Sequence, residues 1–415
     1  MVGEESAGEE HPLWHQLMAL SEFREPDQSG WTRRLFSSAY QRSRGWVREQ
    51  MAAAGLGVRV DEIGNILGEL PGRDPGLPQI VLGSHTDTVA GGGRFDGMVG
   101  LLAAVSVARE LGRLGTRLRH PLLVADFLGE EPNRFGISCV GSRAAAGQLS
   151  ESVLSLPDAE GVTLGSALQV LGAGAFPPPA WDRDRLHCYL ELHIEQGRQL
   201  EQRGLELGVV SAIAGIHRAQ LTFRGRPDHA GTTAMADRRD ALAAAAEGIL
   251  LVEEGASQGG TGVGTVGRLT VAPGASNVIP GEVVASVELR SADGDWLIER
   301  HRDLARSLAE LGDRRKVEIE LEWISAEAPT LCHPGVRRVL GDTLTGLGHP
   351  VAELVSGASH DAAHMARITP MGMLFIPSRD GRSHCPEEWT EPHQVLLGAE
   401  ALLGAVRRMD AVDAL

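Results

Sequence analysis

An α/β fold interrupted by a smaller inserted α+β sandwich is what this sequence predicts, and three observations predict it. Apolar strand-like runs alternate with an apolar helical run in the first 200 residues, and each run ends in polar residues. Near residue 211 the order changes to β-α-β-β-α-β, the usual sequence of helices laid on one face of an antiparallel sheet. From about residue 330 the first pattern returns. The segments are therefore 1–210 and 327–415 for the larger domain, with 211–326 inserted between its halves.

Taken in order, residues 39–55 carry Trp46, Val47, Met51 and Ala54 at helical spacing and stop at Gly55, which predicts a helix. Residues 58–70, with Gly64 inside them, predict a short two-stranded element. Residues 79–82 are a brief apolar strand running into Gly83-Ser84-His85-Thr86-Asp87. Three glycines, Gly91 to Gly93, lead to Asp96-Gly97, and residues 98–111 predict a strongly apolar helix. Residues 120–128 are a second buried strand, ending at Gly129-Glu130-Glu131, and residues 186–194 a third, ending at His193-Ile194-Glu195-Gln196-Gly197. In the insert, residues 219–223, 264–271, 283–289 and 317–323 predict strands, and 237–254 and 293–311 helices. A last apolar strand is expected at 372–376. Polar residues gathered where the strands of an α/β sheet end mark the expected site.

Composition narrows the function. At 415 residues two domains are expected, and 42% hydrophobic with 23% charged residues is the balance of an ordinary globular chain. A formal net charge of −16 argues against nucleic acid or an anionic membrane surface as partner, since both need clustered Lys and Arg. The stretch 1–10 is acidic, without a basic start or apolar core, so no secretory signal is visible. No apolar run approaches membrane-spanning length. Cys139, Cys188, Cys332 and Cys385 are scattered and read as reduced thiols, so a cytoplasmic location is expected.

Seven residues stand where strands or turns end. His85 and Asp87, two apart, suit a metal ligand and a carboxylate that fixes its tautomer; a surface loop is the plain alternative. Asp96 precedes Gly97 and an apolar helix, so it is equally placed as a helix cap. Glu130 and Glu131 are costly at a buried strand end unless partnered: one could bind a metal while the other acts as general base, or both could lie in a solvated turn. His193 and His384 each read as a ligand or as an ordinary strand or loop histidine. Together His85, Asp96, Glu131, His193 and His384 suit two borderline divalent ions sharing a bridging carboxylate.

The motifs His85-Thr86-Asp87, Gly92-Gly93-Arg94-Phe95-Asp96-Gly97, Gly129-Glu130-Glu131, Leu192-His193-Ile194-Glu195-Gln196-Gly197, His229-Ala230-Gly231-Thr232-Thr233, Gly274-Ala275-Ser276-Asn277-Val278-Ile279-Pro280 and Ser383-His384-Cys385-Pro386-Glu387-Glu388 closely resemble those of the hydantoinase/carbamoylase-type amidases. That branch of the M20 metallopeptidase clan contains N-carbamoyl-L-amino acid hydrolases, allantoate amidohydrolases and β-ureidopropionases. The resemblance runs in order from roughly residue 30 to residue 400.

The resemblance implies an M20-type catalytic domain with a mixed sheet flanked by helices, and an inserted lid or dimerisation domain. It implies two divalent ions per subunit, Zn2+ or Mn2+, Co2+ or Ni2+, with His85 and His193 on one, Glu131 and His384 on the other and Asp96 bridging. Glu130 would be the general base, Asp87 would orient His85, and His229 would stabilise the oxyanion. Gln196 would bind the ureido end of a small substrate, while Asn277, Arg290, His360, Gly357 and Ala358 would line the rest of its site. An arginine fork suits a free carboxylate. A histidine at 193, where peptidase relatives usually have an acid, favours amidase over peptidase. The implied reaction is hydrolysis of an N-carbamoyl-L-amino acid by a homodimer. Allantoate or ureidoglycine-type hydrolysis, aminoacylase or dipeptidase activity, and a non-catalytic binding role are the alternatives. Ser359, Ala234 and His217 depart from the family's usual residues, and Ser359 and His217 leave the identity of the substrate open; the run Glu130-Glu131-Pro132-Asn133-Arg134-Phe135 also differs from the family's commoner spacing after the glutamates.

Overall fold

The computed structural model describes residues 8–171, 174, 177–413 and 415, so the first seven residues of the acidic N-terminal stretch lie outside the described residues. The chain divides into two compact units, residues 1–211 with 332–415, and residues 212–331.

The first unit opens with α1 (Pro12–Ser21), where Pro12 sits in the first turn and the His11 ring accepts from the Leu13 amide. Ser37 caps α2 (Ser38–Ala53) by accepting from Tyr40 N. Strands β1 (Gly57–Val60), β2 (Ile66–Leu70) and β3 (Gln79–His85) follow, then α3 (Met98–Arg113), β4 (Leu122–Phe127), α4 (Val140–Ala145), β5 (Leu186–Ile194) and β6 (Gly208–Ile213). The second unit contains β7 (Gly215–Arg224), α5 (Ala241–Ser257), β8 (Gly262–Ala272), β9 (Glu282–Ser291), α6 (Gly294–Arg315), β10 (Glu318–Glu327) and β11 (Thr330–Leu331). The chain completes the first unit with α7 (Pro334–Gly346), β12 (Glu353–Ser356), α8 (Asp361–Met365), β13 (Met371–Ile376) and α9 (Pro392–Met409).

Strands β4, β3, β5 and β13 lie side by side in that order and run parallel. Antiparallel β2 flanks them on one side and β6 on the other, so the sheet is mixed. All nine residues of β5 and all six of β4 and β13 are buried, as expected for central strands covered on both faces. The main core packs Leu17 and Leu20 of α1, Val99, Leu102 and Val105 of α3, Leu340 of α7 and Leu402 and Val406 of α9 around Leu82, Val124, Leu192 and Ile376.

The second unit is a four-stranded antiparallel sheet in the order β10-β7-β9-β8. Leu221, Phe223, Val283 and Ala285 meet Ala244, Ala245 and Val252 of α5 and Leu304 and Leu308 of α6. The first helix of this unit begins at Ala241 rather than the expected residue 237, because residues 235–237 form a separate tight turn and Asp240 caps the Leu242 and Ala243 amides. No helix among the described residues is long and apolar enough to cross a membrane, and the four cysteines are free thiols.

Candidate metal centre

The C-terminal ends of the four parallel strands deliver the polar residues. His85 is the last residue of β3, Glu130 and Glu131 follow β4, His193 lies one residue from the end of β5, and His384 stands in the loop after β13. Asp96 enters on the turn between β3 and α3. Its carboxylate joins them. Oδ1 lies 3.6 Å from His85 Nε2 and 3.2 Å from His193 Nε2, whereas Oδ2 lies 3.1 Å from His384 Nε2. His384 Nε2 is also 3.5 Å from Glu131 Oε1. The ligand atoms of His85, Asp96 and His193 fall within 4.8 Å of one another, as do those of Asp96, Glu131 and His384.

Both buried imidazoles are aimed. His85 Nδ1 lies 3.1 Å from the Asp87 carbonyl and His193 Nδ1 lies 2.9 Å from the Ile194 carbonyl. A proton on Nδ1 in each ring makes those hydrogen bonds and leaves the Nε2 lone pair turned into the cluster. The contact from Asp87 to the ring is thus made by its backbone carbonyl. Its carboxylate Oδ1 stands 3.7 Å from the ring, and its two oxygens accept from the Glu130 and Glu131 amides, each at 3.1 Å. The carboxylate is drawn to those amides because they would otherwise be unpaired in a buried turn.

Asp96 is not the cap of α3. That position is Gly97, which makes no side-chain cap. Its backbone, φ 70° and ψ −46°, belongs to glycine, and a Cβ there would lie 2.4 Å from His85 Nε2. Gly97→Ala is expected to cost about 1–3 kcal/mol in backbone strain alone and to push His85 off its line. Thermal unfolding and turnover check this; a variant with unchanged Tm and activity would refute the constraint. Glu388 belongs to the His384 motif, but no local pattern points to its role. Its Oε1 accepts from the Phe95 and Asp96 amides and its Oε2 from Ser383 Oγ, so it fixes the Asp96 turn. The signal for it was the run of glycines before Asp96: a Cβ on Gly93 would sit 2.2 Å from the Glu388 carboxylate.

The electrostatics suit cations. Burial tends to raise Asp96, yet His193, His384 and His85 hold its carboxyl well below the usual range. Burial, opposed by His85 and reinforced by Glu131, Asp87 and Asp96, pushes Glu130 up to about 8, and burial with Asp96 nearby lifts Glu131 well above its ordinary value. Four buried carboxyl groups, Asp87, Asp96, Glu130 and Glu131, thus crowd three imidazoles, and two divalent cations are the charge that such an N/O donor set fits.

Gln196 enters the same cluster. Its Nε2 donates to Asp96 Oδ2 at 2.7 Å and Ser383 Oγ at 3.2 Å, while its Oε1 is buried without a hydrogen-bond partner. Gln196 and His384 both adopt positive φ, 57° and 55°, a backbone cost met most often at functional sites. His360 is buried edge-on against His193, ring centroids 4.4 Å apart, with Nε2 2.7 Å from Ser356 Oγ. Ala358, whose amide and carbonyl both bond to Ser356 Oγ, is part-buried, and Gly357 is exposed. In the second unit, His229 and Asn277 are neighbours: residue 229 bridges Val278, and the Ala230 amide donates to the Asn277 carbonyl. Both are exposed. Arg290, on β9, is half-buried and donates to Glu288 at 2.7 Å. His217 packs edge-on against Trp323, on which His301 stacks.

Residues 81–408 match the peptidase family M20/M25/M40. The N-carbamoyl-L-amino acid amidohydrolase of Geobacillus stearothermophilus is 39% identical, over 95% of this chain and 97% of that protein. The ureidoglycolate hydrolase of Arabidopsis thaliana is 37% identical, over 94% of this chain and 84% of that protein. The crystal structure of a hydantoinase/carbamoylase family amidase from Burkholderia multivorans superposes with a TM-score of 0.88 at 34% identity, covering 96% of this chain and 97% of that one.

Proposed function

This chain belongs to the peptidase family M20/M25/M40, and from that premise we propose that it is a dimetal amidohydrolase cleaving the ureido C–N bond of an N-carbamoyl-L-amino acid. The observation that carries the reading is the Asp96 carboxylate, whose two oxygens face two separate groups of ligands. His85 and His193 would hold one ion and Glu131 and His384 the other, with Asp96 between them. Bound there, two divalent ions supply Lewis acidity, which makes a water more acidic and polarises the substrate carbonyl.

Glu130 takes the proton of the attacking water and delivers it to the leaving nitrogen, its Oε2 standing 3.7 Å from His85 Nε2. Asp87 holds the turn that aims Glu130 and Glu131. His229 donates to the oxyanion, and Gln196 binds the ureido end, where its unpartnered Oε1 accepts from an N–H. Arg290 and Asn277 bind the carboxylate, with His360, Gly357 and Ala358 lining the remainder. The net reaction consumes one water and yields the amino acid, ammonia and carbon dioxide. The enzyme is read as a cytoplasmic homodimer whose inserted unit is the lid or dimerisation domain.

A second reading, hydrolysis of ureidoglycolate or allantoate, is favoured by the likeness to the Arabidopsis ureidoglycolate hydrolase. The test is to strip the protein with chelator, restore single metals and assay ammonia release. The panel holds N-carbamoyl-L- and D-amino acids, ureidoglycolate, allantoate and N-acetyl amino acids. Metal-dependent release from L-carbamoyl compounds is expected. Preference for ureidoglycolate or allantoate moves the assignment to the second reading, and cleavage of N-acyl compounds alone overturns both.

A further inference from the structure

The two oxygens of Glu130 keep different company. Oε2 faces His85, while Oε1 accepts a hydrogen bond from the Cys139 thiol, Sγ to Oε1 3.3 Å. Cys139 is nine residues further along the chain and wholly buried. A short ladder of backbone bonds brings it there: Cys139 N to Glu130 O at 2.8 Å, Val140 N to Gly129 O at 2.9 Å and Gly141 N to Leu128 O at 2.8 Å. Cys139 then starts α4, and Ser142 in that helix is tied to Asp361. The thiol is thus fixed by main-chain geometry on both sides, and burial pushes its pKa well above the ordinary thiol value, so it stays protonated and remains a donor.

We propose that Cys139 is a positioning residue for Glu130, its thiol holding Oε1 so that Oε2 stays turned toward His85 and the metal ligands. The inference rests on the reading of Glu130 as the base. A thiol suits this task because it is a weak donor. It restricts the carboxylate rotamer without a strong bond to the ionised form that would make Glu130 a poorer base. Alanine would leave Oε1 buried without this donor, and serine would donate from a shorter bond.

The experiment is a double-mutant cycle on the metal-loaded enzyme, with kcat, KM, bound metal and Tm measured for Cys139→Ala, Cys139→Ser, Cys139→Gly, Glu130→Asp and Glu130→Asp/Cys139→Ala. Glycine is included because it adopts the left-handed backbone of residue 139 (φ 55°) without strain, and so tests loss of the donor even where alanine fails to fold. Loss of the thiol is expected to lower kcat about tenfold, roughly the effect of one lost orienting hydrogen bond. KM and metal content should stay within about twofold, and serine should recover part of the loss. In the Glu130→Asp background, where a carboxylate one methylene shorter is expected to fall short of the thiol, Cys139→Ala should cost less than about twofold.

Equal losses in the two backgrounds would make Cys139 merely structural and overturn the proposal. Wild-type kcat in both Cys139→Ala and Cys139→Gly would do the same. A Glu130→Asp enzyme with wild-type kcat would instead overturn the reading of Glu130 as base, whatever Cys139 does.

Discussion

Replacing Glu130 by glutamine is expected to lower kcat by about 10²–10⁴-fold, the usual contribution of a positioned general base, while the fold and the bound metal survive. Glutamine has the same shape, and the bond from residue 130 to the Asp87 carboxylate is made by the main chain, so the turn keeps its hold on Asp87. None of the paired ligand groups contains Glu130. Because burial and acidic neighbours push the Glu130 carboxyl up to about 8, the fold favours its protonated form. Folded Glu130 binds protons that the unfolded chain has released, so its ionised form weakens the fold as pH rises from the ordinary carboxyl value toward 8. A neutral amide is therefore expected to leave Tm level or higher near neutrality. Turnover within about tenfold of wild type, with metal fully bound, would remove Glu130 from the role of base.

How much of this was legible in the sequence depended on chain distance. Strands 79–85, 122–127 and 186–194 could be read because each is a largely apolar run leading to a polar cluster, and their ends carry His85, the glutamate pair and His193. The β-α-β-β-α-β insert could be read from alternation and helical spacing, which are local. Helices α1, α7 and α9 and strands β6 and β12 were not assigned from the sequence, although α9 carries a capping box of Glu391 and Gln394. Strand β12 has only four residues, too few for alternation to stand out.

At the site, residue identities were legible and partners were not. The spacing of His85 and Asp87 suggested a carboxylate on the imidazole, and Asp87 Oδ1 does lie 3.7 Å from Nδ1; what the spacing hid is that both carboxylate oxygens also accept from amides 43 and 44 residues away. Glu388 reaches amides more than 290 residues distant, and Cys139 carries no local pattern at all. Pairings of that range are set by the sheet order, which places β3 between β4 and β5.

The second large effect is expected at Asp96, and it separates a shared dimetal centre from two unrelated ion sites. Its Oδ1 faces His85 and His193, its Oδ2 faces His384, and no other carboxylate belongs to both ligand groups. Asparagine keeps the shape but replaces one oxygen with an amide nitrogen that has no lone pair to offer. Asp96→Asn should therefore weaken both sites at once: metal content after dialysis should fall from about two ions per chain to below about one, and turnover should fall by more than about 10⁴-fold. His384→Ala touches only the second group and should release about one ion. Removing Asp96 also takes away the carboxylate that His193, His384 and His85 hold well below its ordinary range, so Tm in the ion-free protein should drop for Asp96→Asn. If Asp96→Asn kept two ions, the bridge would be wrong and each ion would have to be held by the remaining imidazoles and glutamates alone. If it lost one and kept the other at full affinity, Asp96 would be a ligand to a single ion. Loss of both, set beside loss of one in His384→Ala, is the pattern that only a shared carboxylate gives.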